Sequence, residues 1–259
     1  MRSLIMSLVI SLLALSPAQA EIVTKTVEYK QGGKTFEAFV AYDDVVNITG
    51  KPGVLVTHDW MGITDRTKER ATELAKMGYV AFANDMYGKG IRPTTTEEAS
   101  KLATELKKDR KTLRLRMEAG LKEMRKQRGV DKKRVAAIGY CFGGTAALEL
   151  ARTGADLRSV VSFHGGLDSP APDDGKKIKA KVLALHGADD PFVSAADLAA
   201  FEDELRKANV DYELVKYGHA VHSFTDKSAG TDNSKGAAYN PSADKRSWQA
   251  MQDFFTETL

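Results

Sequence analysis

Short, wholly apolar runs alternate along the chain with longer stretches in which apolar residues recur at helical spacing. Residues 23–29 and 35–42 flank Gly32-Gly33 and predict an antiparallel hairpin. Residues 53–57 read Gly-Val-Leu-Val-Thr, a strand apolar on both faces and therefore suited to burial between two layers. A helix over 64–77 follows, with Gly78 as its C-cap, then a strand over 79–83. Two helices, 95–108 and 111–127, lead to a strand at 134–138 and a helix at 142–152. Strands at 159–163 and 181–186, a helix at 195–207, a strand at 212–216 and a helix at 243–255 complete the series. Strands alternating with helices, the central strands uniformly apolar, predict an α/β class with a mostly parallel sheet covered on both faces. The segment 226–239, rich in Gly, Ser, Asn and Lys, reads as a surface loop.

The first twenty residues stand outside this pattern. Arg2 precedes an apolar run over 4–15, then Pro17 and Ala18-Gln19-Ala20, which is the layout of a signal peptide with an A-x-A cleavage site. The expectation is an exported chain, periplasmic or secreted, that starts at Glu21 and forms a single domain over 21–259. The apolar run falls short of the ~20 residues a membrane span needs, so no stable membrane insertion is expected after its removal.

Charge alters the picture little. The 38 basic and 35 acidic residues nearly balance, which argues against a nucleic-acid partner. Basic residues concentrate between Lys107 and Arg134, where Leu113, Met117, Leu121 and Met124 recur on one helical face. That is an amphipathic helix with a solvated basic side. A monomer is expected. There is no H-E-x-x-H, no Walker A and no G-x-G-x-x-G, so no metal or organic cofactor is called for.

Cysteine usage carries the chemistry. Cys141 is the single cysteine, so no intramolecular disulfide can form. A lone cysteine is ordinarily a small buried hydrophobe, but this one lies in Gly139-Tyr140-Cys141-Phe142-Gly143-Gly144, between a predicted strand and a predicted helix. G-x-C-x-G-G in that position is the nucleophile-elbow pattern of the α/β-hydrolase fold with cysteine in place of serine. Glycines flank the nucleophile because side chains in so tight a turn would collide. The helix N-terminus favours a thiolate, and the Phe142 N–H is one oxyanion donor. The fold orders its partners nucleophile, acid, base. Asp190, in Asp189-Asp190-Pro191-Phe192-Val193, follows one strand, and His222, in His219-Ala220-Val221-His222-Ser223-Phe224, follows the last. Asp190 is preferred over Asp189 for its place at the turn, and His222 over His219. His164-Gly165-Gly166 comes after the nucleophile and reads as a strand end.

With Gly-Tyr-Cys-Phe-Gly-Gly, Asp-Pro-Phe-Val at 190–193, His-Ser-Phe at 222–224 and Tyr239-Asn240-Pro241 in place, the chain resembles the dienelactone hydrolase family. The resemblance implies hydrolysis of small carboxylic esters or lactones through Cys141, His222 and Asp190. It also implies that Asp59, in Asp59-Trp60-Met61-Gly62, stands for a family glutamate that holds the thiol proton at rest. The Trp60 N–H would then be the second oxyanion donor, and Tyr87, Lys89 and Phe224 would contact substrate. Two family arginines that bind a substrate carboxylate are replaced by Lys89 and Asp226, so dienelactone itself is expected to be a poor substrate. A thioesterase or acyltransferase on the same residues, or a non-catalytic binding protein, are the alternatives.

Overall fold

Residues 21–44 and 50–259 are described by the computed structural model. The segment read above as a signal peptide lies outside the described residues.

Strands that are apolar along their length need cover on two sides, and they receive it. β3 (Lys51–Thr57), β4 (Val80–Asn84), β5 (Val130–Tyr140), β6 (Ser159–Phe163) and β7 (Lys181–Gly187) are buried over most of their residues. With the hairpin β1 (Ile22–Gln31) and β2 (Lys34–Asp43) and the last strand β8 (Tyr212–Tyr217), they form one sheet in the order β1-β2-β4-β3-β5-β6-β7-β8. β1–β2 and β2–β4 pair antiparallel, and every other neighbouring pair is parallel.

Side chains alternate across the sheet and split the core in two. Val54, Val56, Ile138, Val161 and Leu185 face the side covered by α1 (Asp65–Lys76) and α6 (Pro241–Thr258). Leu55, Phe82, Val135, Ala137, Val160 and Val182 face the other side. There they meet α3 (Arg110–Met124), α4 (Phe142–Arg152) and α5 (Ala195–Lys207), with α2 (Thr96–Lys108) packed beside α3. The four apolar positions expected on α3, Leu113, Met117, Leu121 and Met124, are all buried.

Caps account for the element ends. The Thr95 and Asp109 side chains accept the Glu98 and Thr112 N–H groups and start α2 and α3 one residue from where periodicity places them. Ser194 and Asp197 form a capping box at α5. The 226–239 segment is more ordered than its composition indicates. Two short 3-10 turns, Lys227–Ala229 and Asn233–Lys235, bring the chain back so that Ala237 bridges to His222. Among the described residues no helix is long and apolar enough to cross a membrane.

Candidate active site

β5 ends at Tyr140 and α4 begins at Phe142, leaving Cys141 alone to make the turn with φ 53 and ψ −114. A side chain at positive φ is strained, and the packing on either side enforces it. A Cβ on Gly139 would fall 1.9 Å from the Gly143 carbonyl oxygen, and one on Gly143 would fall 2.3 Å from that of Thr57. Glycine is thus demanded at both positions by backbone passing against backbone. Cys141 N–H donates to the Phe163 carbonyl at 3.0 Å and ties the elbow to β6. Phe142 occupies the first turn of α4, whose leading N–H groups have no partner within the helix.

The loops after β7 and β8 bring the other two groups to this turn. His222 Nε2 lies 3.0 Å from Cys141 Sγ, and His222 Nδ1 lies 2.8 Å from Asp190 Oδ2. Asp190 has no exposed side-chain surface, and its other oxygen accepts the Phe192 N–H at 2.8 Å. The backbone of His222 is held from both sides, donating to Gly236 and accepting from Ala238. The competing residues stay out of this line. His219 turns away at φ 60 with its carbonyl accepting the Asn233 and Asn240 amides, and Asp189 is exposed. Burial alone would lower His222. The neighbouring Cys141 and the hydrogen bond to Asp190 outweigh it and push the imidazole up to about 10.

Several residues implied by the family resemblance are placed differently. Asp59 makes no hydrogen bond to the thiol. Its Oδ1 accepts the Met61 N–H at 2.8 Å and its Oδ2 lies 3.9 Å from Arg66 Nη1, so the carboxylate serves its own loop. Burial raises its pKa. Lys89 lies outside the cavity, paired with Glu28 of β1 across the surface. Phe224 is fully buried, edge-on to His164 and against Tyr217, and so belongs to the core beneath the base. Tyr87 is buried too. Its hydroxyl donates to the Trp60 carbonyl at 2.8 Å, which holds the Trp60–Met61 peptide, and the side chain does not line the cavity. Asp226 meets Arg66 at 3.0 Å, so its charge is compensated.

The cavity over Cys141 has a volume of about 510 Å³. Trp60, Phe142, Phe192 and Val193 form its apolar walls, and Lys107 and Lys235 stand at its edge. Lys107 is the end of an amphipathic helix and Lys235 sits in a polar loop, so neither carries a local sequence signal for a site. Phe192 is 64 % exposed and edge-on to the His222 ring at 5.3 Å. His58 also passes unnoticed in the sequence. It is buried, donates from Nδ1 to the Asp59 carbonyl and accepts the Met86 N–H at Nε2, locking the β3 and β4 loops together. A second cavity, of about 540 Å³, lies at the opposite ends of β5–β7 among Arg158, Lys181 and Glu257 and is remote from the thiol. Among the described residues no cluster of His, Cys, Asp and Glu is arranged to hold a metal ion.

Known proteins show the same arrangement of chain. A probable 2-oxo-3-(5-oxofuran-2-ylidene)propanoate lactonase of a Bradyrhizobium species is 30% identical over 236 residues, covering 87% of this chain and 92% of its own. A solved structure named m3DLH is 39% identical with a TM-score of 0.88, over 92% of this chain and 99% of the other. A dienelactone hydrolase-like promiscuous phosphotriesterase from metagenomic libraries is also 39% identical, with a TM-score of 0.86, over 92% of this chain and 98% of the other. An acylaminoacyl peptidase of Pyrococcus horikoshii, at 12% identity and a TM-score of 0.69, shares the fold alone over 92% of this chain and 42% of its own. The profile of the dienelactone hydrolase family matches residues 36–259, and the chain belongs to that family as an α/β-hydrolase-fold hydrolase.

Proposed function

We propose that this hydrolase cleaves small carboxylic esters or lactones by way of a thioester on Cys141. The observation that carries the reading is the unbroken line Cys141–His222–Asp190 at 3.0 and 2.8 Å, set in an elbow that opens on a cavity.

His222, held in one orientation by Asp190, takes the Cys141 proton and leaves a thiolate facing an imidazolium. The thiolate attacks the carbonyl carbon, and the carbonyl electrons move onto oxygen. Phe142 N–H and Trp60 N–H stabilise that oxyanion, the second in a peptide whose Asp59 carbonyl is held by His58 Nδ1. The tetrahedral adduct collapses to a thioester, and His222 gives its proton to the departing alkoxide. Water, deprotonated by His222, then cleaves the thioester and restores the thiol. Asp59 has no proton to hold in this scheme.

The cavity's described lining offers no bidentate cation for a substrate carboxylate. Among the described residues that line it there is no arginine, and a carboxylate would meet only the point charges of Lys107 and Lys235. We propose that small neutral esters are turned over better than dienelactone, although Asp226 no longer supplies the repulsion. Residues 1–20 act as an export signal in this reading and 21–259 as a monomeric domain. Amino-terminal sequencing of the protein from fractionated cells and its elution on size exclusion test both.

The decisive experiment compares wild type with Cys141→Ala on p-nitrophenyl acetate, p-nitrophenyl butyrate, their thioester analogues and a dienelactone. Loss of turnover in the variant is expected. Equal turnover in both proteins refutes the nucleophile, and thioesters outpacing oxyesters would make it a thioesterase.

A further inference from the structure

Arg66, the second residue of α1, takes no part in the chemistry above, yet its guanidinium sits where the two catalytic loops meet. Nη1 lies 3.0 Å from Asp226 Oδ2 and 3.9 Å from Asp59 Oδ2. Nη2 donates to Thr225 Oγ1 at 2.5 Å, and the guanidinium stands 5.7 Å over the Tyr140 ring of β5. Asp59 belongs to the loop that carries Trp60, and its other oxygen already orders that loop through Met61 N–H. Thr225 and Asp226 belong to the loop that carries His222. One side chain thus spans the oxyanion side and the base side of the site.

The contact continues inward. Thr225 Oγ1 is 2.8 Å from His164 Nε2, and the His164 ring meets the His222 ring edge-on with centroids 5.4 Å apart. His164 is buried in a conformation with φ 41. Burial, with His222, Arg66 and Arg70 adding to it, drives its pKa well down, so it stays neutral while His222 gains and loses a proton.

We propose that Arg66 is a positioning residue that clasps the Trp60 loop to the His222 loop and, through Thr225 and His164, sets the tilt of the His222 ring against Cys141. The proposal rests on the Cys141 chemistry above. Its physical basis is the fork geometry of the side chain. Separate nitrogens reach Thr225 and the two carboxylates at once, which a lysine ammonium cannot do. Asp59 and Asp226 face the same guanidinium, and without it the two carboxylates would push the loops apart. Among the described residues only His164 and Phe192 flank the His222 ring by aromatic contact, so freeing the Thr225 end leaves the imidazole with one lateral support fewer.

The test uses Arg66→Met, Arg66→Lys and Thr225→Val. It reads kcat and KM on p-nitrophenyl acetate, thermal midpoints, and the pH profile of Cys141 alkylation by iodoacetamide. A misplacement near 1 Å costs on the order of a hundredfold, so Arg66→Met is expected to lose ~10- to 100-fold in kcat with KM changed less than about threefold. Its alkylation profile moves to higher pH because the imidazole no longer accepts the thiol proton well. Thr225→Val moves it the same way by less, and Arg66→Lys recovers part of the rate. Wild-type kcat and alkylation in Arg66→Met overturn the proposal. So does a rate loss that follows only a lowered thermal midpoint, with the folded protein alkylating as wild type. If Arg66→Met does not fold, wild-type behaviour of both other variants overturns it. If Cys141→Ala proves active, the chemistry fails, but the alkylation profiles still decide whether Arg66 sets the His222–Cys141 contact.

Discussion

Asp190→Asn probes the line of three residues at its least exposed point. The native carboxylate faces His222 Nδ1 at 2.8 Å with no side-chain surface open to water. The asparagine oxygen can keep the Phe192 N–H, which Asp190 accepts at 2.8 Å. Its NH2 group then faces Nδ1 and obliges that nitrogen to accept. The ring proton moves to Nε2, which can no longer take the proton from Cys141. The charge is lost as well. At an effective dielectric of roughly 20, a carboxylate and an imidazolium at that separation attract by about 4–6 kcal/mol, the lower figure for charges centred ~4 Å apart. At 1.36 kcal/mol per decade this is roughly a thousand- to twenty-five-thousand-fold in rate. The equivalent change in a serine triad costs about ten-thousand-fold, which agrees. The assay is kcat/KM on p-nitrophenyl acetate, with the thermal midpoint showing that the variant is folded. A folded Asp190→Asn within tenfold of wild type would refute the reasoning, since neither tautomer nor charge would then matter.

Three further outcomes follow from the same geometry. Because the thiolate–imidazolium pair is the reactive form and His222 is pushed up to about 10 beside Cys141 and Asp190, the alkaline fall of kcat/KM should come as pH rises through about 10; an alkaline fall centred near the ordinary imidazole value of 6.5 would contradict this. Gly143→Ala places a methyl 2.3 Å from the Thr57 carbonyl oxygen and 2.5 Å from that of His58. Both are backbone atoms that cannot swing aside, so urea unfolding should show a loss of about 3 kcal/mol or more. Arg152, 1 % exposed, holds Glu204 at 2.9 and 2.7 Å and Glu149 at 3.0 Å. Arg152→Ala takes the guanidinium from the buried Glu204 carboxylate, while Glu149 keeps Arg114 at 2.7 Å; the change should cost about 3–5 kcal/mol, and a urea midpoint near wild type would count against that network.

Much of this molecule is legible from order along the chain. Apolar runs at 53–57, 159–163 and 181–186 announce buried strands because a strand covered on both faces has no polar position to spare. Gly139, Gly143 and Gly144 around Cys141 announce the elbow because backbone packs against backbone there. The strand-end positions of Asp190 and His222 announce their meeting because a parallel sheet gathers its C-terminal loops at one edge. Tertiary structure alone decided where side chains point once those loops converge. Asp59 lies in the segment expected for a proton holder, but its carboxylate takes Met61 N–H and Arg66 as partners and makes no hydrogen bond to the thiol. Lys89 follows Tyr87 by two residues, yet β1 offers it Glu28 and it leaves the cavity. Lys107, Lys235 and Arg66 come to the site from a helix end, a polar loop and a first helical turn, where nothing local distinguishes them from solvated charges. Local sequence determines backbone path and strand order through sterics and burial. The partner a long charged side chain finds depends on groups dozens of residues away, and only the folded chain brings those together.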